Sequence, residues 1–121
     1  MNKTTITLRR HVVVAVVFVL AGVSSLSAED LFDRECVACH VREQVSLRKA
    51  FMNALLVYSG EQNMKAGLKY FFRHPRRDSS VMSEAFLREH PIKQPLTLDD
   101  ATLDRALDIY WRRYTVQGKL R

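Results

Sequence analysis

Two cysteines three positions apart with a histidine directly after them, Cys36-Val37-Ala38-Cys39-His40, constrain this chain more than any other feature. On a helical turn, positions i and i+3 share a face. Two sulfurs so placed can reach the two vinyl-derived carbons along one edge of a porphyrin, and the adjoining imidazole can turn beneath the iron. The pattern is that of covalent c-type haem attachment. It predicts Cys36 and Cys39 as thioether donors to one haem c and His40 as the proximal iron ligand. A dithiol redox pair would need a strand leading into a helix, and no strand pattern precedes Leu31. A structural zinc site would need four ligands at regular spacing. Beyond the motif only His74 and His90 remain as candidates, each standing before a proline.

The amino-terminal stretch has a different character. Lys3, Arg9 and Arg10 precede an apolar run from Val12 to Val23, then Ser24-Ser25-Leu26-Ser27-Ala28 leads into Glu29-Asp30. A basic start, a short apolar core and a small-residue site read as a secretory signal peptide over 1–28, cut after Ser27 or Ala28. The apolar run is well short of the roughly 20 residues that a spanning helix needs, so contact with a membrane is expected only before cleavage. Export implies a periplasmic protein whose single domain covers 29–121. Three of the 19 Lys and Arg residues lie in the signal, so 16 remain against 13 Asp and Glu, a net charge near +3 rather than +6. That balance gives no reason to expect nucleic acid as a partner. A domain of this size gains from a covalent staple.

The rest of the chain carries helical periodicity and no sustained alternation, which predicts an all-α fold. Asp30 to Cys39 places Phe32, Cys36 and Cys39 on one side. Ser46 to Tyr58 aligns Leu47, Phe51, Leu55 and Tyr58 before the stop at Ser59-Gly60, with Met52 flanking the same face as core. Glu61 to Phe72 groups Met64, Leu68, Phe71 and Phe72, and His74-Pro75 ends it. Arg76 to Ser80 reads as loop, and a short helix over Ser83–Arg88 precedes His90-Pro91. The last helix is the plainest: Thr97 is the expected cap with Asp100 as reciprocal partner. Leu103, Leu107, Tyr110 and Tyr114 form its stripe, and Gly118 closes it. Acidic residues at its start and Arg112, Arg113 and Lys119 at its end suit the macrodipole.

In order and spacing the chain resembles the class I c-type cytochromes. The shared features are a short first helix ending in Cys36-Val37-Ala38-Cys39-His40, middle helices, a methionine in the second half and an amphipathic last helix. The resemblance implies a small cytochrome c-like domain of about four to five helices around one covalent haem, with the first and last helices crossing. It also implies that Phe32, four residues before the first cysteine, packs on the last helix near Leu107 and Tyr110. The family's glycines and proline after the motif are missing from His40-Val41-Arg42-Glu43-Gln44-Val45. Another backbone carbonyl must then accept the free N–H of His40, because axial histidines need such a partner.

Met82, 42 residues after His40, stands where the resembling family places its distal ligand. His74 and His90 are the rival ligands, and Met82 can instead serve as core packing. Methionine opposite histidine raises the potential and closes the sixth position. The expected function is therefore a one-electron carrier rather than an enzyme. The alternatives are a haem protein that binds a small molecule at an open site, or a haem subunit of a larger oxidoreductase. Redox partner proteins are expected, with Arg73, Arg76 and Arg77 as a basic docking patch or as donors to propionates. The competing reading of those arginines is a solvated loop.

Overall fold

The computed structural model describes residues 27–116, and these are all-helical with no strand among them. The predicted signal segment, apart from Ser27 and Ala28, lies outside the described residues, as do Gly118 and Lys119. The first rod consists of α1 (Ala28–Phe32), a π-helical segment (Asp33–Val37) and α2 (Ala38–Arg42), joined end to end through helical dihedrals. Then come α3 (Leu47–Val57), α4 (Gly60–Arg73), a single 3-10 turn (Arg77–Ser79), α5 (Glu84–Glu89) and α6 (Asp100–Tyr114). None of these helices is long and apolar enough to cross a membrane.

Local chemistry sets most of the boundaries. Ser27 caps α1 in a reciprocal box: its hydroxyl accepts the Asp30 N–H (3.1 Å) and the Asp30 carboxylate accepts the Ser27 N–H (3.2 Å). Ser46 and Ser83 cap α3 and α5 through the hydroxyl alone, accepting from the Lys49 and Phe86 N–H groups. At the α3–α4 junction Gly60 takes φ +80°, a left-handed conformation that glycine adopts at little cost.

The last helix differs from expectation at both ends. Its cap is Asp99, not Thr97, because the Asp99 carboxylate reaches both the backbone N–H (2.9 Å) and the hydroxyl (2.7 Å) of Thr102. It stops at Tyr114, short of Gly118, where Thr115 turns to extended backbone.

The core forms around α6. Leu103, Ala106, Leu107, Ile109, Tyr110 and Trp111 are all buried there. Phe32 stacks on Tyr110 (6.0 Å between centroids), so α1 packs on α6 through the aromatic residue anticipated for that contact. Arg113 reinforces the pair, lying over the Phe32 ring at 4.7 Å and bonding Asp33 (2.6 Å) and Glu29 (2.7 Å). Phe51 of α3 meets Tyr110 edge-on at 5.3 Å and Trp111 at 5.7 Å, while the Tyr110 hydroxyl donates to the Leu47 carbonyl at 2.6 Å.

Along α4, Lys65, Lys69 and Arg73 pair with Asp108, Asp104 and Asp100 of α6. Ascending numbers on one helix meet descending numbers on the other, so the two run antiparallel. Met52 corrects the reading of α3: it is 45% exposed, beside Leu56 at 88%, because the inward face is held by Phe51 and Ala54.

Candidate functional site

Cys36 ends up half-buried against the core cluster, and Cys39 is exposed one turn later. Both are free thiols. The rod that carries them keeps helical geometry through Arg42, then reverses within three residues. Glu43 N–H bonds the Cys39 carbonyl (2.9 Å), Gln44 N–H bonds the Val41 carbonyl (3.2 Å) and Val45 N–H bonds the His40 carbonyl (2.9 Å). Gln44 makes the reversal with φ +56°, the left-handed region that few residues other than glycine enter.

The reversal has a direct effect on His40. Its Nδ1 lies 3.0 Å from the Val45 carbonyl oxygen. A carbonyl only accepts, so Nδ1 carries the hydrogen and Nε2 keeps its lone pair. Val45 thus supplies a backbone carbonyl to the His40 ring in a loop without the glycines and proline. Burial holds His40 below the usual imidazole value, opposed by the Val45 contact and aided by the charge of Lys93. That shift favours the neutral ring, the state that metal ligation requires.

Burial, with Glu35 adding to it, pushes the Cys36 thiol up to about 11. An activated dithiol needs the opposite shift.

The segment after α5 is tied to the end of α4. Leu96 N–H bonds the Phe72 carbonyl (2.9 Å), and Arg73 holds the Leu96 carbonyl (2.8 Å). That places the Lys93 ammonium 5.1 Å from the centre of the Phe72 ring, half-buried and within electrostatic range of Cys36, Cys39 and His40. Met82 is partly buried, and the Asn53 side-chain amide of α3 approaches its sulfur at 3.8 Å. No hydrogen bond joins Met82 to His40. Gln44, Asn53 and Lys93 were not singled out by the sequence.

The other two histidines make aromatic contacts. His74 caps the end of α4 against Tyr70 (5.1 Å), exposed. His90 stacks on Phe86 at 4.1 Å. Among the described residues no three His, Cys, Asp or Glu side chains converge on a point.

The three arginines read as a basic patch are each matched by a carboxylate. Arg73 pairs with Asp100 (2.8 Å), Arg76 with Asp78 (2.6 Å) and Arg77 with Glu84 (2.9 Å). Arg73 and Arg77 also bond backbone carbonyls, of Leu96 and Leu87 (2.8 Å each).

A haem is compatible with these residues on the chemistry of the donor set: two unpaired thiols at i and i+3, a neutral imidazole with a fixed tautomer, and a thioether oriented by an amide. Comparison with protein-family models, with curated proteins and with solved structures returns no match.

Proposed function

We propose that this chain is an exported c-type cytochrome of the class I kind, a periplasmic one-electron carrier. Cys36 and Cys39 bind the haem as thioethers, His40 is the proximal ligand and Met82 the distal one. The observation that carries the reading is the His40–Val45 contact at 3.0 Å, which leaves Nε2 as a free donor beside two unpaired thiols on the same rod. Position, export signal and motif point the same way.

The haem, when bound, supplies a one-electron iron couple. The chain's own residues do the remaining work. Val45 orients and tautomerically fixes His40. Asn53 donates to the Met82 sulfur (3.8 Å), restraining the thioether. A ligand pair that stays bound through oxidation and reduction changes little in geometry, which is what a carrier needs.

A redox-titrated absorption spectrum of the exported protein tests the proposal. Expected are a haem that stays with the polypeptide in acidified butanone, a weak red-end band of methionine ligation in the ferric form, and no carbon monoxide binding to the ferrous form. Met82→Ala should lose that band and gain carbon monoxide binding. Colourless exported protein with free thiols would end the cytochrome reading. Carbon monoxide binding by the unaltered protein would replace the carrier with a ligand-binding haem protein.

A further inference from the structure

Two bonds that follow small residues, Ser27–Ala28 and Ala28–Glu29, are the expected ends of the leader. Both lie in the opening turn of the first rod. Ser27 is the cap of the rod that carries Cys36, Cys39 and His40, and Ala28 is its first helical residue.

Ser27 satisfies two of the backbone N–H groups that open this rod. Its hydroxyl accepts the Asp30 N–H and its carbonyl accepts the Leu31 N–H, each at 3.1 Å. The Asp30 carboxylate returns the bond, accepting the Ser27 N–H at 3.2 Å. The next two residues are engaged as well. Ala28 lines a cleft of about 370 Å³ with Lys65 of α4 and Ile109 of α6, and the Glu29 carboxylate accepts from Arg113 at 2.7 Å.

A cut after Ser27 removes both acceptors and leaves those donors without a partner in the chain. It also places the new α-ammonium on Ala28, inside the turn that already carries the positive end of the helix dipole. A cut after Ala28 loses the same acceptors and puts the ammonium on Glu29. A cut after Ser25 keeps every one of these bonds, and its charge falls on Leu26, the residue before the cap. Val23 and Ser25 then stand third from last and last in the leader, which fits the small-residue pattern, and Val12 to Gly22 remains as the apolar core.

We infer that signal removal falls between Ser25 and Leu26, so that the mature chain begins at Leu26 and keeps Ser27 as the cap of the motif-bearing rod. The inference rests on the export reading, and one measurement separates the two failures. A reciprocal box needs a serine and an aspartate three apart with both N–H groups in place. A discarded leader has no use for its half of that pair.

In the experiment, the full-length chain is expressed in a bacterial host that matures c-type cytochromes. The haem-loaded protein of the periplasmic fraction is then read by intact mass and amino-terminal sequencing. Leu26 is the expected first residue. Ser27→Ala should lower the mature mass by one oxygen atom and the melting temperature by about 4 °C, the loss of one cap. Ser25→Phe should abolish the Leu26 start, because the last leader position takes a small residue. Ser27→Phe should leave that start in place.

Any other first residue, Ala28 and Glu29 included, would overturn the assignment. So would a mature protein whose mass and melting temperature ignore Ser27→Ala. A chain still beginning at Met1, or recovered only from the cytoplasm, would remove the export reading and the inference with it.

Discussion

Gln44 takes a left-handed backbone for the sake of its neighbours: by turning there, it brings the Val45 carbonyl onto His40. A β-branched side chain resists this conformation most strongly. Gln44→Val should cost about 1–2 kcal/mol, whereas Gln44→Gly should be neutral or slightly stabilising. Urea unfolding of the haem-free chain reads both, and equal losses from the two variants would mean that backbone conformation is not what the position selects.

Gly67 is a second residue chosen for space. A Cβ built there would overlap the ring of Tyr58. Alanine normally favours a helix interior over glycine by about 1 kcal/mol. Here overpacking opposes it, and Tyr58 is itself half-buried on the core. Gly67→Ala should therefore lose about 1–2 kcal/mol. The same change in a Tyr58→Ala background should gain stability. A gain in both backgrounds would show that the ring swings aside freely.

Among the elements, the antiparallel contact of α4 and α6 carries a charge ladder whose upper end is sensitive to acid. The Arg73 hydrogen bond holds the Asp100 carboxyl below the usual carboxylate range, with Lys69 adding to the effect. Bonding to Thr102 does the same for Asp99 at the cap. Both groups are depressed in the folded chain, so over the window between folded and unfolded values the unfolded chain binds more protons. The stabilisation is complete above about pH 4 and is lost as pH falls through the folded values. Melting temperatures from neutral pH down into that window should decline, and Asp100→Asn should flatten the decline. Identical slopes with and without Asp100 would remove the ladder from the acid response.

Most elements were legible because capping chemistry is local. Ser46, Ser83 and Gly60 mark boundaries that a few residues decide. The start of α6 was not, since Thr97 and Asp99 both make plausible caps. Only the geometry around Thr102 separates them. Met52 was misplaced for a related reason: α3 carries apolar residues on more than one face, and periodicity alone does not say which of them meets α6. In the site, the motif residues could be read directly. The carbonyl serving His40 could be required but not located, because a reversal at a non-glycine residue leaves no mark in composition.

At the scale of the whole molecule, α1 and α6 close the fold. Arg113 joins Asp33 and Glu29 across 80 and 84 positions of chain, and Phe32 stacks on Tyr110 beside them. The inner side of the first rod, where Cys36 sits, is thus covered by residues far along the sequence. A haem-free chain ending at position 99 should expose Cys36 to iodoacetamide, and the full haem-free chain should react about fivefold more slowly. Equal rates would show that Cys36 shelter does not depend on α6.

Contacts of such long separation form late, because loop closure must precede them. During synthesis the motif emerges early and its cover emerges last. Until α6 is made, Cys36 therefore stays open, and folding then shuts the way to that one sulfur while Cys39 remains reachable in the finished chain.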